Sequence, residues 1–425
     1  MESSNSQTVS NKPLSLTWRS VVWLCRIAVG VTFIFSGWTK AVDVWGFIFK
    51  VREYLTVWDW NVPYEAIVIG CGALAIAEFT TGICISSGCL RRVGVWVAAA
   101  IMAFMLPLTA YIMLADPVQD CGCFGEFWII SNTATFLKNV VLAAMIVILL
   151  MFNRRVPPLY PAPIQWLVIA GACAYTLTLS LIGYRIQPLV DARPFKTGTY
   201  LFEPDAVGGI ESEVYIYEKD GREVAFDLFN LPDSTWTFVE SVSAPVATPH
   251  SLSVFDEKGF MVQHEIAETD SDRLYIIVNH PGMQFLTQAH FANELADFAE
   301  AHGVSTMAII AASPERVKPW RELMRPHYPV YSAEDTSLKE LVRGNVAAVY
   351  THEGKISWKL ALSAIDSSIP ETPSSQNLLA NIKPVDDGKL HSFITLILAA
   401  WMLFLWVLGQ SPKFLRLFSR KKIKN

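Results

Sequence analysis

No histidine precedes His250 and no cysteine follows Cys173 in this chain of 425 residues. Charge is scarce as well: Asp, Glu, Lys and Arg together make up 17%, against about 25% in a soluble domain. The formal net charge is −5, whereas a nucleic-acid binder carries a basic patch. These shortages exclude three things. The C-terminal half has no disulfide framework, although an oxidising compartment would permit one. The N-terminal half has no histidine with which its cysteines could complete a Cys/His zinc site. Nucleic acid is not an expected partner.

Apolar residues take the place of charge, at 52% of the chain with a mean hydropathy of +0.33. They concentrate near 21–38, 64–86, 93–115, 131–152, 163–184 and 391–409, each about long enough to cross ~30 Å of hydrocarbon as a helix. The first run reads as a span rather than a signal peptide, because it lacks a small-residue cleavage site and continues through Arg26 and Lys40. Lys and Arg in short loops set orientation. Arg91 with Arg92, Arg154 with Arg155, and the tail Lys413, Arg416, Arg420, Lys421, Lys422 and Lys424 all fall on one side of six spans, together with Lys12 and Arg19. The expectation is a bacterial inner-membrane protein with both termini cytoplasmic. Loop 38–62, loop 116–130 and the charged stretch 186–390 then face the periplasm. The basic tail suits anionic inner-leaflet lipids.

All seven cysteines, Cys25, Cys71, Cys84, Cys89, Cys121, Cys123 and Cys173, lie in the membrane half. An isolated buried cysteine is ordinarily a small, inert hydrophobe. Cys121 and Cys123 differ because they stand in a polar loop, "DCGCFGE" at 120–126. A redox pair, a structural disulfide or plain turn, and half of a metal site all remain open. For a metal, only Asp120 and Glu126 are at hand. For redox chemistry, Gly122 gives the flexibility a small ring needs, and strained, exposed disulfides are the labile kind. Only Cys71 shares the outer half of the membrane with the pair.

Charges within the spans are costly and usually face a partner or a cavity. Arg26 and Glu78 both fall in the inner third of antiparallel spans, which predicts a structural intramembrane pair. Lys138 stands about two turns into the fourth span, ~10 Å deep. It either lowers a thiolate pKa or holds a quinone carbonyl, or else snorkels to the outer headgroups.

Arg26-(x)3-Gly30, Ser36-Gly37-(x)2-Lys40, Glu78 with Gly82, Asp120-Cys-Gly-Cys-Phe-Gly125 and Lys138-Asn139 together resemble the DoxX/MauE family over residues 18–152. The resemblance implies a membrane all-α four-helix bundle, similar in architecture to disulfide-forming enzymes of the vitamin K epoxide reductase type. It also implies redox-associated activity, linked in MauE-like members to disulfide formation in a periplasmic partner.

The outward part reads as two pieces. "EVYIYEKDGREVAFDL" is a hairpin with an Asp-Gly turn, inside a small β-rich lead-in over 186–249. Beyond it, "SLSVFDEKGFMV" is strand–turn–strand. Strands at 273–279, 305–313 and 328–334 then alternate with helices at 285–303, 314–327 and 336–344. A hairpin over 347–360 closes the series, turning at Glu353-Gly354. Such alternation predicts an α/β sheet. The order resembles the redoxin branch of the thioredoxin fold over about 250–362, with two departures. "NHPGMQF" at 279–285 holds no cysteine where a redoxin carries its CxxC, and Asn345-Val346-Ala347 replaces the cis-proline. The domain is thus read as non-catalytic, and His280 and His290 as solvated histidines ahead of the other reading, acid–base residues.

The expected organisation is a cytoplasmic tail (1–17), the four-helix domain (18–152), a fifth span (153–185), the lead-in (186–249), the thioredoxin-like domain lacking CxxC (250–365), an irregular linker (366–390) and a sixth span with basic tail (391–425). Two functions compete. One is thiol–disulfide exchange for a periplasmic or envelope protein partner through Cys121 and Cys123, aided by Lys138, with a quinone as candidate acceptor. The other is a non-catalytic scaffold or assembly subunit whose degenerate redoxin domain binds another envelope protein. Transport through the bundle has only the Arg26/Glu78 pair behind it.

Overall fold

A computed structural model describes residues 15–118, 121–191, 193–202, 211–219, 222–226, 232, 235–245, 252–262, 266, 271–279, 286–371, 376–382 and 387–411. Asp120, His280 with the rest of 280–285, and the basic tail lie outside the described residues. The chain divides into two compact units, 1–181 with 388–425, and 182–387.

The first unit holds the membrane helices. They are α1 (Leu16–Val42), α3 (Tyr64–Ser87), α4 (Arg91–Ala115), α5 (Asn132–Phe152), α6 (Ala162–Arg185) and α10 (Asp387–Gln410), with the shorter α2 (Val44–Val57) after α1. Among the described residues, six helices are long and apolar enough to cross a membrane. Ser15 and Ser131 cap α1 and α5 through side-chain hydrogen bonds, which satisfy donors that a helix start leaves bare. Loop 38–62, assigned from sequence only to a side of the membrane, contains α2. Asp43 ends α1 and starts α2 at once, its carboxylate accepting from the Gly46 amide at 2.9 Å.

Glycines set how α1 and α3 pack. A Cβ added at Gly37 would lie 2.3 Å from the Phe79 nitrogen, and one at Gly82 would lie 2.5 Å from that of Ile34. Small residues let membrane helices approach this closely. This register corrects the expected Arg26–Glu78 pair. Glu78 falls opposite Gly37, while the Arg26 guanidinium falls beside Gly88, just past the end of α3. The two charges are separated by about ten residues of helix, ~15 Å. Arg26 instead donates to the Asn153 side chain at 2.6 Å and to the carbonyls of Asn153, Val156 and Pro157 at 3.0, 3.0 and 3.1 Å. Glu78 pairs with Lys40.

The fifth and sixth spans join this bundle through side chains. Tyr175 packs on Phe79 of α3, and its hydroxyl meets that of Thr395 at 3.0 Å. The Trp401 indole donates to the Leu167 carbonyl at 3.1 Å and fills the space over Gly171.

In the second unit, β1 (Glu211–Lys219), β2 (Arg222–Phe226) and β3 (Thr237–Pro245) form an antiparallel sheet of order β2-β1-β3. A second sheet contains β4 (Val254–Phe255), β5 (Arg273–Val278), β6 (Ser305–Ala311), β7 (Val330–Ala333), β8 (Val346–His352) and β9 (Lys355–Ala361), in the order β4-β7-β6-β5-β8-β9. Strands β5, β6 and β7 are parallel, joined through α7 (Leu286–Ala301) and α8 (Pro314–Met324). Helix α9 (Asp335–Leu341) leads to the antiparallel hairpin β8–β9. Every residue of β5 is buried, as a central strand covered on both faces requires. Leu295, Ala296, Val317 and Trp320 cover one face with Leu379; Leu338, Leu341, Leu201 and Leu252 cover the other. The outer edge of β9 is protected by the chain leaving α6, through Ala361 N to Ile186 O and Ile356 N to Thr199 O.

Candidate functional site

Cys121 and Cys123 lie in the connection between α4 and α5, outside the spans, with their sulfurs 2.7 Å apart and both cysteines free. Gly122 makes the reversal possible. It has φ +67, and a Cβ there would lie 2.6 Å from Cγ of Lys50 on α2. Each cysteine carbonyl is held by a different element. The Tyr54 hydroxyl of α2 donates to the Cys121 carbonyl at 3.1 Å. On the other side, Ser36 Oγ and Lys40 Nζ of α1 donate to the Cys123 carbonyl at 2.9 and 3.0 Å. Ser36 and Lys40 share a helix face at i, i+4 spacing, so one turn of α1 grips the loop.

Lys40 also reaches Glu78 Oε2 at 2.8 Å and Ser36 Oγ at 2.7 Å. Both charged side chains are almost wholly buried, at 3% and 5% exposure. Lys138 places its ammonium 4.1 Å over the Phe124 ring, so it faces the cysteine loop. Cys71 is buried on α3.

The two thiols have unlike environments. The hydrogen bond between them, helped by the Lys138 and Lys40 cations against the effect of burial, lowers the Cys123 thiol to about 7. The same hydrogen bond, together with burial, pushes the Cys121 thiol up. Cys123 is thus the sulfur set up as thiolate, and Cys121 the one that keeps its proton.

A cavity of about 240 Å³ opens beside the pair. Its walls are mainly apolar, from Phe33, Phe47, Trp58, Leu74, Met102 and Leu142, with Lys40, Glu78, Lys138 and Asn139 as polar points. Flat apolar walls with ammonium donors suit a quinone ring and its oxygens. Among the described residues, no three His, Cys, Asp or Glu side chains gather as metal ligands.

The sequence reading left the bundle without a histidine, yet α10 brings one to it. Trp38 Nε1 of α1 donates to His391 Nε2 at 3.1 Å. Trp38 also packs against Phe35 and Phe127, and Phe35 against Phe124. Tyr54 was not singled out in the sequence, and Ser36 and Lys40 entered the family pattern Ser36-Gly37-(x)2-Lys40 with no role given to them. Their shared helical face, Ser-(x)3-Lys, was the signal.

A multi-pass helical unit with a paired-cysteine turn between its third and fourth spans defines the class of protein. Residues 18–152 match the family model described as Methylamine utilisation protein MauE, and with its apolar helices the membrane part fits a MauE/DoxX-type membrane protein. Residues 213–246, spanning most of β1 and all of β2 and β3, match a family described only as a domain of unknown function. No curated protein matches the chain.

Proposed function

We propose that this protein carries out thiol–disulfide exchange for a periplasmic or envelope protein partner, with Cys121 and Cys123 as the redox pair. The observation behind this reading is the pair itself: two sulfurs 2.7 Å apart in a turn whose carbonyls are clamped from α1 and α2. A plain turn has no need of such clamps. In the oxidising direction, a partner thiolate attacks the Cys121–Cys123 disulfide and forms a mixed disulfide, releasing one cysteine as thiolate. The partner's second thiolate then displaces the other. Two electrons pass to the pair, and the partner leaves with its own disulfide. Re-oxidation must remove two electrons and two protons from the pair; a quinone, if held in the adjoining cavity by Lys138, Lys40 and Asn139, would supply a two-electron, two-proton acceptor there. Together with the Cys121 hydrogen bond, Lys138 and Lys40 favour the ionised form of the Cys123 sulfur, and mainly apolar side chains wall the adjoining cavity.

Orientation follows from charge. Arg26, Arg91 and Arg154 converge at one end of the bundle, where Arg91 donates to the Arg154 and Val156 carbonyls at 2.9 Å. Positive residues on one side favour that side as cytoplasmic. The thiol pair then faces a bacterial periplasm from the inner membrane.

The six-stranded order, with parallel β5-β6-β7 and an antiparallel β8–β9 hairpin, supports a thioredoxin-like reading for residues 250–365. After β5, Asn279 is committed to structure: its side-chain amide donates to the Val342 and Gly344 carbonyls at 3.1 and 2.9 Å. That commitment, and the lack of cysteine, favour docking over thiol chemistry for this domain. It is also the observation behind the second reading, a membrane scaffold for an envelope protein.

The test is differential alkylation of Cys121 and Cys123 in native membranes, before and after reduction. Exchange predicts that both are blocked before reduction and labelled after it. It also predicts that Cys121→Ser leaves Cys123 in a reducible mixed disulfide with another protein. Permanently free thiols and no trapped adduct would leave the scaffold reading in possession.

A further inference from the structure

We infer that Lys40, Glu78 and Ser36 are positioning residues for the thiol pair, and that Lys40 and Glu78 set the reactivity of the Cys123 sulfur in opposite directions. This rests on the reading of Cys121 and Cys123 as the reacting pair, and it adds three residues from two spans that touch neither sulfur by hydrogen bond.

The geometry separates this role from that of a helix staple. An ion pair that only fastened α1 to α3 would close on itself, because a buried pair needs its remaining donors satisfied locally. Here α1 and α3 are already in backbone contact at Gly37 and Gly82. The Lys40 ammonium spends one donor on Glu78 at 2.8 Å and directs another at the Cys123 carbonyl at 3.0 Å. Ser36 Oγ donates to that same carbonyl at 2.9 Å and accepts from Lys40 at 2.7 Å. One backbone oxygen of the cysteine loop thus receives two donors from a single helical turn. Lys40 and Glu78 both line the cavity onto which the thiols open.

Among the described residues, four titratable groups act on the Cys123 sulfur: Cys121, Lys138, Lys40 and Glu78. In the low dielectric of a membrane bundle their charges are poorly screened. Lys40 favours the thiolate, both as a cation and by drawing on the cysteine carbonyl. Glu78 opposes it and partly cancels Lys40. Removing the cation and removing the anion must therefore move Cys123 in opposite directions. A staple has no such sign, since losing either partner loosens the same contact.

The experiment measures the iodoacetamide rate of the Cys123 peptide by mass spectrometry, on the reduced full-length protein in detergent, between pH 6 and 9. Lys40→Met should slow the reaction at pH 7 by about threefold to tenfold and move the midpoint of the rate profile upward. Glu78→Gln should speed it and move the midpoint downward. Ser36→Ala should slow it less than Lys40→Met. If Lys40→Met does not fold, Ser36→Ala against Glu78→Gln still gives the two signs. Equal-signed shifts, or no shift in either Glu78→Gln or Ser36→Ala, would overturn the inference. Membranes in which the wild-type pair never becomes oxidised would remove the exchange function instead, and leave the signs measurable.

Discussion

Arg26 and Asn153 meet at 2.6 Å, guanidinium Nε to side-chain oxygen, at the end of the bundle away from the thiol pair. Arg26 thereby satisfies the carbonyls of Asn153, Val156 and Pro157 where α5 ends and the chain turns toward α6. Removing it leaves buried acceptors bare, at about 1–3 kcal/mol for each group left unsatisfied. Arg26→Met should therefore lower the thermal midpoint of the purified protein by several degrees. Because Glu78 is not its partner, the effects of Arg26→Met and Glu78→Gln should add, as they do for independent sites. A coupled double mutant would mean that the two charges interact after all.

Helix register gives a second prediction. Gly37 meets the Phe79 backbone, so Gly37→Ala must push α1 from α3, and Lys40 lies on that same stretch of α1. Gly70, also on α3, has nothing within 4 Å of an added Cβ. Gly37→Ala should lower the midpoint and weaken Cys121/Cys123 pairing, while Gly70→Ala should do neither. Thermal unfolding and diamide-induced disulfide yield, read on both variants, check this.

The spans were legible because each is an unbroken apolar run of membrane length. The α/β unit was legible because its strands and helices alternate with turn residues such as Glu353-Gly354 between them. Helix α2 was not, because 14 residues fall short of a span and its Lys50, Arg52 and Glu53 look like loop charge. The Arg26–Glu78 expectation failed for a related reason. Counting residues inward from span ends gives depth only as well as the ends are placed. Helix α1 begins at Leu16 and runs 27 residues, and Gly37 with Gly82, not the ends, fixes its register on α3. The cysteine turn was visible in the sequence. Its clamps were not, because Ser36, Tyr54 and Lys40 come from elements distant in the chain.

The α/β unit has its own buried charge cluster. Asp191 accepts from Arg193 at 2.7 Å and from the Lys359 ammonium. Burial alone would raise the Asp191 carboxyl, but Arg193 and Lys359 outweigh it and hold it below its ordinary value. Burial in turn lowers Lys359 to about 8. Asp191→Asn strands two buried cations and should cost about 3 kcal/mol, more than Lys359→Met, which removes a charge along with its desolvation. The sign with pH follows from the lowered carboxyl. The contribution of Asp191 is complete above the ordinary carboxylate pKa and is lost as pH falls through the lower native value. Urea unfolding at pH 7 and pH 3, on wild type and Asp191→Asn, should show the difference between them shrink in acid. A constant difference would remove Asp191 as the source.

Lys138 separates an enzyme from a scaffold. Its ammonium sits over the Phe124 ring, one residue from Cys123, and it is one of two cations that help bring that thiol to about 7. An ordinary thiol near 8.5 is only a few per cent ionised at neutral pH. Lowering it to about 7 makes roughly half of it thiolate at that pH. Lys138→Met should thus slow Cys123 alkylation at pH 7 by about threefold to tenfold. By pH 9 the thiolate is largely formed in both proteins, so the difference should narrow there. Lys138→Arg keeps the cation, and with it most of the wild-type rate at pH 7. The fold should hold in both variants, since a cation–π contact of this kind contributes about 0.5–1 kcal/mol. A uniform slowing at every pH would point to blocked access rather than ionisation. Rates that match wild type from pH 6 to 9 would mean that Lys138 does nothing for the sulfur, and the cysteine turn would then be better understood as part of a scaffold.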